Sequence, residues 1–161
     1  MDTFFKHTDL GRNEAEQIVS ETLNKCDDGE LYLENSKSEI LVLDDNKIKI
    51  TSYNTSLGYG LRAVIGDVTA YSHSNEISKY SLKKSSNNLF STLKSKKGTY
   101  DRSTSRTNVK LYSDINPIEA KPLKAKIDIL KKVDGYLRKK ENIVKQVTAS
   151  FFGQHEEIEI L

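Results

Sequence analysis

At 161 residues the chain is long enough for one domain with a single core, although only 36% of it is hydrophobic. Its 25 basic and 23 acidic side chains nearly cancel to a formal +2, so composition demands neither nucleic acid nor an acidic partner. The single Cys26 excludes an internal disulfide, the start lacks the profile of a secretory signal, and no apolar run approaches the roughly 20 residues of a membrane span, so a soluble protein of a reducing, cytoplasmic setting is expected.

From Arg12 to Lys25, Ala15, Ile18, Val19, Thr22, Leu23 and Cys26 recur at helical spacing, and Asp27-Asp28-Gly29 supplies a stop. The period then becomes two. Leu31 and Leu33 alternate with polar neighbours, and Glu39-Ile40-Leu41-Val42-Leu43 runs into the turn signal Asp44-Asp45-Asn46, which reads as a hairpin of two strands. Ile48 and Ile50 mark a third strand with one wet face. Residues 57–65 and 68–72 form the clearest hairpin, joined at Gly66-Asp67. Gly58 and Gly60, two apart, leave one face bare, which suits a close approach of other atoms or else a bulge.

Ser74 or Asn75 is placed to cap a helix from about Glu76, with Ile77, Tyr80, Leu82, Leu89, Phe90 and Leu93 on its apolar side and Lys96-Lys97-Gly98 at its end. A polar, basic stretch near 97–110 reads as a flexible linker within one domain. Pro122 opens another helix, in which Leu123, Ile127, Leu130, Val133 and Leu137 follow the helical repeat. Alternation resumes at Val147, Ala149 and Phe151, then at Ile158 and Ile160, giving two closing strands. The order lacks regular strand-helix alternation. It predicts an α+β fold with helices packed on a mostly antiparallel, partly exposed β-sheet.

Catalytic chemistry finds little support. His7, His73 and His155 are scattered, and His155-Glu156 lacks a second histidine one helical turn away; strand alternation points the two side chains apart. Cys26 falls on the core face of the first helix, where a free cysteine acts as a small apolar residue. No Gly-x-Ser-x-Gly elbow is present, and no third glycine follows Gly58-Tyr59-Gly60 into a helix. The lysines between Lys83 and Lys145 are interleaved with Asp128, Asp134 and Glu141 without an aromatic stacking set, so they read as a solvated face rather than a nucleic-acid site.

Ser52-Tyr53-Asn54, then Gly58-x-Gly60-x-Arg62-Ala63, then Gly66-x-x-Thr69 resembles, in order and spacing, the N-terminal region of TldD-type members of the TldD/PmbA metallopeptidase family. Leu111-Tyr112, Asn116-Pro117, Lys126-Ile127-Asp128-Ile129-Leu130 with Val133-Asp134, and Gln146-Val147-Thr148-Ala149-Ser150 extend the likeness, which spans about Leu31 to Leu161. The resemblance implies Tyr53, Gly58, Gly60, Arg62, Gly66 and Thr69 as family-matching structural positions. It also implies a zinc peptidase of peptides and unfolded proteins, pairing with a PmbA/TldE-like subunit or with itself as a dimer. The family's His-Glu-x-x-x-His motif belongs to a C-terminal metallopeptidase domain that this chain is expected to lack, so no catalytic, cofactor or metal residue carries over and the chain alone should be inactive. The competing expectation is a stand-alone interaction module, a remnant of a split gene without peptidase activity.

Overall fold

The computed structural model describes residues 4–93, 98, 113 and 115–161. Seven elements follow in order: α1 (Arg12–Leu23), β1 (Asp28–Asp44), β2 (Lys47–Ile65), β3 (Val68–Ser74), α2 (Lys79–Leu93), α3 (Leu123–Lys140) and β4 (Thr148–Ile160). The strands form one sheet in the order β3-β2-β1-β4. Leu31 and Leu161 exchange reciprocal backbone bonds of 2.9 Å, and Asp45 N–H donates to the Val147 carbonyl at 3.0 Å, so β4 runs antiparallel to β1. β3 is antiparallel to β2, from Tyr59 opposite Ser74 to Ile65 opposite Val68. The α+β class and the antiparallel sheet thus agree with expectation. Along β4 every second residue is exposed, as a half-covered sheet requires. Among the described residues, no helix is long and apolar enough to cross a membrane.

Four of the expected strands are halves of two longer ones. Residues 31–33 and 39–43 belong to the continuous β1, and residues 47–51 and 57–65 to the continuous β2. Polar residues at 35–38 interrupt the apolar alternation, yet none has the positive φ that a two-residue hairpin turn would need. Asn35 donates to Glu157 at 3.0 Å and Lys37 to Glu119 at 2.8 Å, so these polar side chains are satisfied within extended chain. The two closing strands likewise merge into β4. Real turns stand where φ is positive: Asp45 (45°) with Asn46 (60°) between β1 and β2, and Gly66 (56°) between β2 and β3.

The chain divides into two compact units: residues 1–35, 56–108 and 157–161, and residues 36–55 and 109–156. In the first, α1 buries Ala15, Ile18, Val19 and Thr22, the helical face predicted for it. These join Leu31, Leu33, Leu61, Ala63, Leu82 and Leu89 in one apolar cluster, together with the expected core residue Cys26. Each fully buried leucine contributes about 1.5–3 kcal/mol.

Helix α2 starts three residues later than predicted, and Ser78, not Ser74 or Asn75, caps it by accepting the Ser81 N–H at 3.1 Å. Ser74 instead accepts the Glu76 N–H at 3.0 Å in a turn before the helix. Tyr80 and Phe90, predicted on the apolar side, are exposed, while Ser81, Ser85 and Ser86 face inward. Hydroxyl pairing explains the inversion. Tyr59 Oη lies 2.9 Å from both Ser81 Oγ and Ser85 Oγ, and Thr22 Oγ1 lies 2.7 Å from Ser86 Oγ, so each of these inward hydroxyls is paired.

In the second unit α3 also turns an unexpected face inward. Leu123, Val133 and Leu137 are 46%, 41% and 39% exposed, whereas Lys126 and Asp134 are buried beside Leu130. Lys126 Nζ donates to Glu39 Oε1 and to the Ile118 carbonyl, both at 2.5 Å, and lies 5.8 Å from the centre of the Phe151 ring. Asp134 accepts from Arg138 Nε at 3.2 Å. Paired and hydrogen-bonded charges can enter a core from which single charges are barred. Leu41, Leu43 and Leu130 complete this core, with Ala149 and Phe151 against them.

The linker expected near 97–110 lies outside the described residues except for Gly98, whose N–H donates to the Lys25 carbonyl at 2.8 Å.

Candidate functional site

Within the first unit, the strand face opposite the helices carries a shallow groove of about 200 Å³. Its floor is built by Gly58 and Gly60, two residues apart on β2. A Cβ at Gly58 would stand 2.7 Å from the Ser74 carbonyl oxygen, and one at Gly60 would stand 2.8 Å from Cζ of Tyr71. Both glycines are therefore fixed by close approach, with φ outside the left-handed region. Tyr71 and His73 stack along one wall, with ring centres 5.8 Å apart and planes inclined by 27°. On the other wall Tyr32 Oη donates to Glu34 Oε2 at 2.9 Å.

Beyond the groove, Arg62 sits opposite Tyr71 in the β2–β3 register. Its guanidinium donates from Nε to Glu30 at 3.0 Å and from Nη2 to Asp28 at 2.7 Å. That hydrogen bond holds the Asp28 carboxyl below its ordinary range. Gly66 has no atom within 4 Å of where its Cβ would be; its left-handed φ is what calls for glycine, and its N–H donates to Asp27 Oδ2 at 2.6 Å. Thr69 is exposed on β3, opposite Val64. Gly58, Gly60 and Arg62 thus share one strand face, with Gly66 and Thr69 at the adjoining turn and strand.

Tyr53 belongs to the second unit, where it is 51% exposed and its hydroxyl lies 3.5 Å from Glu119 Oε1. Glu119 also accepts from Lys37, the main reason its carboxyl is held below the usual range. β2 continues here past the end of β3. The β2–β3 pairing ends at Tyr59, so among the described residues the outer edge of β2 over residues 47–58 faces no strand. Ile48, Ile50 and Tyr53 are exposed along its second-unit stretch.

Tyr32, Glu34, Tyr71 and His73 were not singled out as a site by residue type. The available signal was their spacing of two within strands, which aligns Tyr71 with His73 and Tyr32 with Glu34 on common faces. His73, weighed as a metal ligand, is a stacking partner. Among the described residues no three His, Cys, Asp or Glu side chains converge as a metal would require.

Residues 29–95 match the family described as PmbA/TldA metallopeptidase domain 1. The chain is 30% identical over 135 residues to the metalloprotease TldD homolog of Buchnera aphidicola from Acyrthosiphon pisum, covering 83% of the chain and 28% of that relative. It spans 28–29% of the length of the curated relatives it matches. In fold it is similar to a Thermotoga maritima crystal structure named as a putative modulator of a DNA gyrase, with TM-score 0.67 and 13% identity, covering 93% of this chain and 35% of that one. It is also similar to TldE from Thermococcus kodakarensis, with TM-score 0.59 and 12% identity, covering 89% and 33%. The sequence matches place residues 29–95 in the PmbA/TldD family, as that family's first domain.

Proposed function

We propose that the chain is the non-catalytic N-terminal portion of a cytoplasmic TldD-type zinc metallopeptidase, serving subunit pairing and forming part of the wall of a peptide cavity. The observation that carries this reading is the edge of β2 that faces no strand among the described residues: β3 ends at Ser74, opposite Tyr59, whereas β2 reaches back to Lys47. An open edge presents unpaired N–H and C=O groups, and an added strand binds them through main-chain hydrogen bonds that are indifferent to side-chain identity. That indifference suits both a partner subunit and peptides of varied sequence. Zinc and the hydrolytic step belong, in this reading, to polypeptide outside these residues, since the described side chains bring no ligand set together.

Proline at an edge position removes one donor while leaving the other side of the strand paired. Ile50→Pro should therefore keep the far-UV circular dichroism of the parent yet weaken association with a PmbA/TldE-type subunit at least tenfold, read by light scattering of the mixed proteins. Association of unchanged strength in a folded Ile50→Pro protein would refute the edge as the pairing surface.

A further inference from the structure

We infer that the glycine-floored groove of the first unit binds the side chain of an arginine carried by a polypeptide segment. The lining is complementary to a flat cation. Tyr71, 63% exposed, supplies an electron-rich face on one wall and Glu34 a carboxylate on the other; among the described residues no lysine or arginine lines the groove. Arg62, the nearest cation along β2, is already engaged by Asp28 and Glu30. The Tyr32 hydroxyl fixes one Glu34 oxygen, so the carboxylate is held in place before a ligand arrives.

Size and shape narrow the class further. A space of about 200 Å³ is smaller than the sites that enclose whole small molecules, and it fits one side chain. The Tyr71 ring fills the space that Gly60 leaves, so a planar group would lie against that ring rather than against the strand backbone. A guanidinium is planar, stacks on aromatic faces and presents a fork of donors to a carboxylate, whereas an ammonium is a compact, strongly hydrated point charge. A neutral apolar ligand would desolvate Glu34 with only the Tyr32 hydroxyl to offset its charge. An anion would meet that carboxylate with no compensating cation. The inference stands on the groove residues alone and does not depend on the β2 edge or on a peptidase partner.

The test is a titration of the isotope-labelled full chain, followed by backbone amide resonances, with N-acetyl-arginine amide, its neutral citrulline isostere and N-acetyl-lysine amide as probes. Saturable shifts at Gly58, Gly60 and His73 are expected with the arginine probe, which should bind about tenfold more tightly than citrulline, as a charge-assisted contact implies. Glu34→Gln, whose dispersed spectrum verifies its fold, should abolish that preference. Tyr71→Leu should weaken the arginine probe about two- to fivefold, and Tyr71→Phe, which keeps the ring, should not. Equal affinity for arginine and citrulline would overturn the proposal, as would wild-type binding by Glu34→Gln or the absence of saturable shifts at the groove. Lysine binding as tightly as arginine would overturn the assignment to arginine.

Discussion

Replacing Lys126 by alanine is expected to lower the unfolding free energy by about 3–5 kcal/mol, the cost of leaving a buried charge without its partner. Lys126 and Glu39 are both shut away from solvent, with side chains 4% and 8% exposed, and meet at 2.5 Å. Removing the ammonium strands the Glu39 carboxylate in a core lined by Leu41, Leu43 and Leu130, and also orphans the Ile118 carbonyl. The desolvation of both ions is already a cost of folding, so the pair need not stabilise the protein relative to apolar residues of similar volume. Hence the double variant Glu39→Leu with Lys126→Met should recover most of the loss. Urea denaturation of the two single variants and the double one measures this. A loss under about 1 kcal/mol for Lys126→Ala would mean that the pair behaves like a surface salt bridge.

The second large effect is expected at Leu61. It is fully buried in the cluster that also holds Leu31, Leu33, Leu82 and Leu89. Truncation to alanine removes the transfer free energy of the lost methyl groups and leaves a cavity that rigid strand neighbours cannot close, for a loss of about 2–5 kcal/mol. Leu57→Ala, four residues earlier on the same strand, is the control. Leu57 is 41% exposed, so its loss should stay within about 0.5 kcal/mol. Urea midpoints of the two variants measure the contrast, and similar losses at the two positions would contradict the assigned core.

How far the sequence revealed these features depended on whether periodicity or pairing decided the outcome. α1 was legible because its buried residues are mostly apolar and its exposed ones mostly polar. The β2–β3 hairpin was legible because Gly66 supplies a backbone conformation that few residues adopt. α3 was legible as a helix but not in its orientation, since hydrophobic spacing assigns Lys126 and Asp134 to water. Their partners Glu39 and Arg138 make burial tolerable, and the Glu39 contact spans 87 positions. The serine face of α2 failed in the same way, because each inward hydroxyl depends on Tyr59 or Thr22, which only the tertiary fold brings near. Residues 31–33 and 39–43 were read as two strands because composition does not distinguish a loop from extended chain whose side chains are satisfied across the sheet.

The groove shows the same division. Gly58 and Gly60 were visible as a bare strand face, but the atoms filling that bareness, from Tyr71 and Ser74, come from β3 and its C-terminal end. Their approach required the register across Gly66 and Asp67. Tyr53, matched to the same family pattern, lies in the other unit beside Glu119.

Amide hydrogen exchange over residues 47–57, with and without a PmbA/TldE-type subunit, tests the proposed role of this domain most directly. Outward-facing amides there should exchange quickly in the chain alone and become protected by at least tenfold on complex formation. A stable complex that leaves those amides as fast as before would show that pairing uses some other surface and that the free edge of β2 is incidental.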